Sequence, residues 1–590
     1  MRDWVALWLL LASAMRTSIF SKPQAWVGLA LLLGACGAES ASSPSGGSGG
    51  GNVGLGGAQD IGQFRGYLDR GAIPTPSSLD ANGFFAEHYI EPAKPTCGNV
   101  ICATAETASQ PDWFNEGRHS IVRVALSTVV DPTVYKRKPL NMVLVVDRSG
   151  SMAADSRMEK VKSGIRLLIS KLQPLDRISL VSFDDSARVD VTFVDSEDRQ
   201  RLIAAVDRLQ PGGSTNIYDG LALGFAQFGN GSFNERQNRV LLLSDGQATA
   251  GNTSTPAIIA LAESKVSTGI GLSTVGVGND FDATLMRGLA ERGAGTMYFA
   301  ENAAAVNEIF TQELDYFIEP LALDVKLAVT ANPNFELGEA LGANYWRHDD
   351  VGSTGKVRIP AVFLASRTSE TGQGRRGGGG AVFVHLIDKR TATSEGNTAA
   401  TVTLTYRMPN SSQLVTQTLN VAPPTPVGAP ATGFVASSAV MNQAAPMYHV
   451  FRGLRFATQV AQYDATCALT ALTLLRSKAS EFVAEYPDYD LTADLALIDK
   501  FIANLKSNGA RAEETTPGAS LSCGAGVCID KECECDVAAC ANTLEGDPIE
   551  EGYDNLNSGQ RACSAGGGPT TLAPVLLMMF AVLAPRRRRN

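Results

Sequence analysis

The sequence predicts an α/β fold: a doubly wound, mostly parallel sheet inserted in or beside a β-sandwich, then a small C-terminal helical bundle and a Cys-rich tail. Three observations predict it. Residues 139–317 alternate short apolar runs with stretches of helical periodicity, the mark of strands joined by helices. Residues 120–127 and five later runs between 322 and 421 read as strands separated by Gly, Pro and Ser. Residues 445–505 carry apolar side chains at helical spacing.

The α/β segment justifies itself element by element. Residues 141–146 (NMVLVV) are almost wholly apolar, as expected of a strand buried on both faces. Val161, Ile165, Leu168 and Leu172 then share one helical face. RISLVSF at 177–183 is the next strand. Helices are expected over 201–209 and 217–228, a buried strand at 239–243 (RVLLL), and a helix over 255–267. Strands at 270–277 and 296–299 flank a helix at 283–291, and a helix at 303–317 closes the unit. On such sheets ligands bind beyond the carboxyl ends of the strands.

The strand SIVRVALS at 120–127 is expected to join the runs at 322–329, 356–364, 381–386, 399–406 and 414–421 in one sandwich. The α/β domain would then be an insertion in a sandwich loop. Val450, Leu454, Ala457 and Val460 share a face in the last helical region, and Leu495, Ile498, Phe501 and Ile502 continue the pattern. The resulting organisation is a signal with a lipobox at 1–36, a flexible tether at 37–59 and an N-terminal segment at 60–119. A strand region at 120–138 precedes the α/β domain at 139–317 and the sandwich at 318–425. A helical bundle at 440–510, a Cys-rich segment at 520–563 and an apolar, Arg-ended tail at 564–590 follow.

Composition narrows the function classes. The chain has 590 residues, enough for about four domains, and 44% are hydrophobic, enough for real cores. Asp+Glu outnumber Lys+Arg by 60 to 50, a net charge of −10. That balance argues against a general nucleic-acid binder, which needs a basic stripe. No apolar run reaches the ~18 residues of a spanning helix, which excludes a polytopic membrane protein.

The ends read as addresses. Lys22, the apolar run 25–33 and Leu33-Gly34-Ala35-Cys36 resemble the lipobox of bacterial lipoproteins. Cys36 would take the lipid and become the mature N-terminus, with residues 1–14 an over-extended reading frame. The Ser/Gly-rich stretch that follows is a tether. Cys563, the apolar stretch 572–584 and Arg586 to Arg589 resemble the C-terminal sorting tails of myxobacterial surface proteins. The expectation is an exported, lipid-anchored protein at the bacterial outer membrane or cell surface, with either the N-terminal lipid or the C-terminal tail as the working anchor. Removing Cys36 and Cys563 leaves eight Cys, an even number. Cys97 and Cys102 can close a small loop. Cys523, Cys528, Cys533, Cys535 and Cys540 leave one partner to find, for which Cys467 is the candidate. A zinc knot is the rival reading of that cluster.

The chemistry sits at three predicted strand ends. The first strand runs into Asp147-Arg148-Ser149-Gly150-Ser151-Met152. A later loop reads Gly212-Gly213-Ser214-Thr215-Asn216. RVLLL runs into Ser244-Asp245-Gly246. Asp147, Ser149, Ser151, Thr215 and Asp245 all offer oxygen, which suits a hard divalent cation. This pattern resembles the von Willebrand factor type A domain and its metal-ion-dependent adhesion site. The resemblance implies that those five residues hold a divalent cation, Mg²⁺ first and Mn²⁺ or Ca²⁺ next. It also implies that the ion engages a carboxylate of a protein partner. Phe64-Arg65-Gly66-Tyr67-Leu68 and Gly71-Ala72-Ile73-Pro74 resemble the N-terminal segment of certain bacterial, lipoprotein-like members.

Catalysis is not expected. No HExxH pair or phosphate-binding loop is present, and Gly46–Gly50 matches a nucleophile-elbow pattern only in the tether. Asp184 and Asp185 are expected to be solvated. The reading is a surface-tethered binding module. The alternatives are a subunit of a metal-chelatase or AAA-type remodelling complex, which needs cytoplasmic ATP, and a structural surface-assembly component with an idle site.

Overall fold

The computed structural model describes residues 51–511, apart from 115–116, 132–134, 230–234, 301–302, 311–318, 350–351, 366–379, 392–396, 410, 412 and 428–431. The lipobox at Cys36, the tether up to residue 50, and both C-terminal segments lie outside the described residues. So do Cys523, Cys528, Cys533, Cys535, Cys540 and Cys563.

The tether expected over 37–59 gives way to strand at residue 51. β1 (Gly51–Leu55) and β2 (Gly57–Ala58) are the first described elements. Val53 and Leu55 alternate and are buried, which is what a two-residue period on a covered face requires. Gly57 turns the chain between two sheets at φ +100°, and a Cβ there would lie 2.7 Å from the Glu291 side chain. Two helices follow, α1 (Gly62–Asp69) and α2 (Ala81–Ala86), the latter capped by Asp80 accepting from Gly83 N at 3.1 Å.

The segment 60–119 also contains a strand that its sequence does not announce. β3 (Ile101–Pro111) pairs antiparallel with β4 (Arg118–Thr128) along its whole length. Its residues are mostly small and polar, so no apolar alternation marks it. Thr107, Ala108, Ser109 and Gln110 are nevertheless buried. Cys97 and Cys102, the second residue of β3, form the expected local disulfide.

The α/β domain follows. Its strands are β5 (Leu140–Asp147), β6 (Arg177–Phe183), β7 (Ala187–Asp195), β8 (Gln237–Ser244), β9 (Ile270–Val277) and β10 (Thr296–Ala300). Its helices are α3 (Arg157–Lys171), α4 (Arg199–Asp207), α5 (Ile217–Ala226), α6 (Thr255–Val266), α7 (Ala283–Arg292) and α8 (Ala303–Glu308). The sheet order is β2-β10-β9-β8-β5-β6-β7. All neighbours are parallel except β7, an antiparallel edge strand that the sequence reading passed over. Every residue of β5 is buried, as its continuous apolar run requires. Val161, Ile165 and Leu168 of α3 cover one face with Val306 and Phe310. Leu221 of α5, Ile258 of α6 and Leu289 of α7 cover the other. Strand order reverses between β5 and β8, so the crevice at their carboxyl ends is the topological switch point.

The remaining strands are β11 (Pro320–Ala331), β12 (Phe335–Leu341), β13 (Arg347–His348), β14 (Thr354–Leu364), β15 (Ala381–Asp388), β16 (Ala400–Arg407), β17 (Leu414–Val421) and β18 (Val435–Ala436). They form two layers that share one apolar core, including Val122, Val325, Val382, Val402 and Tyr406. β1 pairs with both β4 and β14 and so joins the layers. β4 pairs antiparallel with β15, with Arg123 opposite Phe383. The chain therefore enters the sandwich at β4, leaves for the α/β domain, and returns at β11. Entry and exit are stapled together: Tyr135 Oη and Lys138 N both donate to Glu319, at 2.6 and 3.1 Å.

The last described elements are α9 (Met441–Val460), α10 (Ala465–Glu485) and α11 (Tyr489–Ser507). The bundle expected over 440–510 is larger than that. Phe64 of α1 meets Phe501 edge-on at 6.2 Å, and Phe84 and Phe85 of α2 pack on Phe451 at 5.6 and 5.4 Å. The N-terminal segment thus completes a core that the C-terminal helices cannot close alone. Cys467 of α10 is also disulfide-bonded. Where the bundle meets the sandwich, His119 stacks on His385 at 3.9 Å and His449 lies edge-on to His119 at 5.1 Å. Arg452 sits 3.3 Å from Asp112 there. Burial and the Arg452 charge keep these imidazoles neutral, with His385 lowered to about 3.

Candidate functional site

The three motif loops converge at the switch point. β5 delivers Asp147 fully buried at its last position. The following loop is zipped to the GGSTN loop by Gly150 N donating to Gly213 O (3.0 Å) and Gly212 N donating to Arg148 O (2.7 Å). The loop after β8 is zipped to the same segment: Thr249 N donates to Thr215 O (2.9 Å), and Thr215 N donates to Thr249 Oγ1 (3.0 Å). Asn216 then caps α5 by accepting from Asp219 N at 3.2 Å. These ties hold all five expected ligand residues at one place.

Their oxygens are contiguous. Ser149 Oγ lies 3.0 Å from Ser151 Oγ, and Ser151 Oγ donates to Asp245 Oδ1 at 2.9 Å. Asp147 Oδ1 accepts from Ser149 N at 2.8 Å, and its Oδ2 accepts from Ser244 Oγ at 2.6 Å. A Cβ added at Gly246 would lie 3.4 Å from Thr215 Oγ1 and 3.7 Å from Asp147 Oδ2. The absence of a side chain at Gly246 therefore leaves a cradle between a hydroxyl and a carboxylate.

Electrostatics agree with a cation there. Burial raises the Asp147 carboxyl to about 6, against the hydrogen bonds from Ser244 and Ser149 that lower it, and nearby Asp245 raises it further. Of the two buried carboxylates side by side, Asp245 is paired with Arg157, while Asp147 accepts hydrogen bonds from Ser149 N and Ser244 Oγ. A donor set of two carboxylates and three hydroxyls fits a hard divalent ion. Held by these residues, such an ion would supply a Lewis-acidic centre. The chain's own residues fix the oxygens and exclude bulk water: Asp147, Ser149, Thr215 and Asp245 are all buried, while Ser151 is exposed at the rim.

Several residues besides the five expected ligands shape this geometry. Ser244, the last residue of β8, bonds Asp147. Of Asp184 and Asp185, expected to be solvated, Asp185 is exposed and Asp184 is buried, and both also tie the loops. Asp184 pairs with Arg148 at 2.5 Å, and Asp185 accepts from Ser214 N at 3.0 Å. Their place in a strand-end loop beside Gly212-Gly213 was the available signal. Arg157, the first residue of α3, donates from Nη1 to Asp245 Oδ2 at 2.8 Å. No sequence signal singled it out, because the contact spans 88 residues.

A switch-point site of oxygen ligands on a doubly wound sheet defines the class, and the family comparison agrees. The profile of the von Willebrand factor type A domain matches residues 141–312. The chain carries a von Willebrand factor type A domain. YfbK of Escherichia coli is similar over 276 residues at 29% identity, covering 46% of this chain and 48% of YfbK. Human inter-alpha-trypsin inhibitor heavy chain H6 is 27% identical over 220 residues, covering 35% of this chain and 16% of that one. The chain thus spans about half the length of YfbK and less of the heavy chain. Among solved structures, a von Willebrand factor type A protein from Catenulispora acidiphila aligns at 15% identity and a TM-score of 0.42, over 66% of this chain and 89% of that one. A mussel byssus protein, proximal thread matrix protein 1, with a zinc-occupied adhesion motif aligns at 19% identity and a TM-score of 0.26, over 35% of this chain and 46% of that one.

Proposed function

We propose that the protein is a surface-tethered binding module that uses a divalent cation, Mg²⁺ in the first place, to engage a carboxylate of a protein partner. The observation that carries this reading is the convergence of Asp147, Ser149, Ser151, Thr215 and Asp245 from three loops onto one strand-end crevice. Two carboxylates leave a divalent ion electrophilic, and an acidic side chain is the partner group that completes it. The lipobox at Cys36 and the C-terminal apolar, Arg-ended tail support an anchored, exported protein at the outer membrane or cell surface. The disulfide between Cys97 and Cys102 suits an oxidising compartment.

The test is a pull-down from envelope extract with and without Mg²⁺. A partner captured in Mg²⁺, released by EDTA and missed by Asp147→Ala supports the reading. Capture that ignores both treatments overturns it. Palmitate labelling dependent on Cys36 separates this reading from a cytoplasmic, ATP-linked remodelling subunit.

A further inference from the structure

Arg157 occupies a place that the metal-site reading leaves unexplained. Its side chain is buried, yet it comes from the exposed turn between β5 and α3. The turn reaches it through two consecutive non-Gly residues in the left-handed region, Asp155 at φ 49° and Ser156 at φ 57°. Such conformations persist where the surrounding structure demands a direction. Here they aim the guanidinium inward. Nη1 donates to Asp245 Oδ2 at 2.8 Å, and Nη2 donates to Asp280 Oδ2 at 3.2 Å. Gly278 makes room for it: at φ +80°, a Cβ there would lie 2.5 Å from Arg157 Nε.

We infer that Arg157 is a resident cation that weakens ion binding by the empty site, so that the metal is held firmly only together with an acidic ligand. The inference rests on the metal-site reading above. Asp147 and Asp245 alone would neutralise a divalent ion. With the Arg157 guanidinium on Asp245, the filled site keeps one excess positive charge. A ligand carboxylate removes that excess, so ion and ligand strengthen each other's binding reciprocally. Asp280 and, at 3.7 Å, Asp155 are exposed and partly neutralise Arg157 from outside, but their charges are screened by water and salt. The buried pair with Asp245 is not. Arg157 is a positioning and charge-setting residue that acts on the ion through Asp245.

The experiment measures Mn²⁺ affinity of the full chain by titration calorimetry or paramagnetic resonance, with and without N-acetyl-aspartate amide as the carboxylate probe. Arg157→Gln is expected to bind Mn²⁺ about tenfold more tightly than wild type without the probe, from loss of one nearby like charge. The probe should tighten Mn²⁺ binding in wild type and do so much less in the variant. Arg157→Lys keeps the charge and should stay near wild type. A merely structural role for Arg157 cannot raise the affinity. An Arg157→Gln protein with unchanged near-UV circular dichroism and equal or weaker Mn²⁺ binding overturns the inference, as does an Arg157→Lys protein that tightens equally. If Arg157→Gln does not fold, Gly278→Ala, whose new Cβ displaces the guanidinium, must tighten Mn²⁺ binding or the inference is overturned. Absence of Mn²⁺ binding in wild type and Asp147→Asn alike would sink the metal-site reading itself.

Discussion

Replacing Arg137 by Met removes one half of a fully buried ion pair at the base of β5. Arg137 Nη1 and Nη2 reach Asp176 Oδ1 and Oδ2 at 2.9 and 2.6 Å, and the two side chains are 1% and 0% exposed. The same carboxylate accepts from Leu140 N at 2.9 Å and Gln173 N at 2.7 Å. Arg137→Met leaves a buried, uncompensated carboxylate, and the expected loss is about 3–5 kcal/mol. Asp176→Leu takes the buried counter-charge from the guanidinium, which keeps Lys138 O at 3.2 Å, and the acceptor from both amides, so its loss is of similar size. The double variant buries no charge. The two amides lose an acceptor, at about 1–3 kcal/mol each, and Lys138 O loses the Arg137 Nη1 donor at 3.2 Å. The double loss should therefore fall well short of the sum of the singles, by roughly 3 kcal/mol or more. Urea unfolding of the four proteins at pH 7.5 measures this cycle. Burial pushes the Asp176 carboxyl up, but Arg137 and the two amides outweigh it and hold it below the usual range. A depressed carboxylate contributes stability at neutral pH that is lost only as pH falls through its folded value. Without Arg137 the carboxyl rises, so Arg137→Met should lose less relative to wild type near pH 4.5 than at pH 7.5. Additive losses within about 0.5 kcal/mol, or a single loss under about 1 kcal/mol, would refute the claim that this pair is desolvated and mutually dependent.

Three further outcomes follow from other parts of the molecule. Ser244→Ala removes a donor from the buried Asp147 carboxylate, and should cost about 1–2 kcal/mol and weaken Mn²⁺ binding; thermal melts and metal titration check both. Gly224→Ala would place a Cβ 2.5 Å from Val145 Cγ2 where α5 packs on β5, so a loss of about 1–3 kcal/mol in urea unfolding is expected, and an unchanged midpoint would contradict the packing. Lowering the pH below about 6.5 should destabilise the seam between sandwich and bundle, because His385 stays neutral down to about 3 when folded but charges when unfolded. By pH 5 that single imidazole accounts for about 2 kcal/mol, 1.5 pH steps at ~1.4 kcal/mol each, with His119 and His449 acting in the same direction. His88, which burial lowers but Asp494 and Asp490 hold at about 9, acts in the opposite direction as pH falls from 9 towards 6.5. Fluorescence of Trp113, stacked on His449 at 5.1 Å, reports the seam in a background with Trp4, Trp8, Trp26 and Trp346 changed to Phe; a flat profile between pH 8 and 5 argues against buried neutral imidazoles.

How much was legible in the sequence depended on how local each signal is. β5 and β8 were legible because strands buried on both faces are runs of apolar residues. The five site residues were legible because Asp147 ends β5, Ser149 and Ser151 follow it within four positions, Asp245 follows β8 directly and Thr215 lies two positions before α5, and loop chemistry is local. β7 was missed although its residues alternate, because an edge strand carries fewer apolar residues. β3 was missed for a stronger reason. Its small polar residues become buried only because β4 and the bundle cover them.

The sequence by itself determined the alternation of strands and helices, the oxygen-donor loops and the return of the chain into a sandwich. Periodicity and strand-end motifs are properties of neighbouring residues, so they survive without coordinates. The tertiary structure alone decided that β1 ties two layers together and that the N-terminal helices finish the C-terminal bundle. It alone put Ser244 on Asp147 and Arg157 on Asp245. Those contacts join residues about 90 or more positions apart. Burial and charge fix them, and neither is a property of any one stretch of chain.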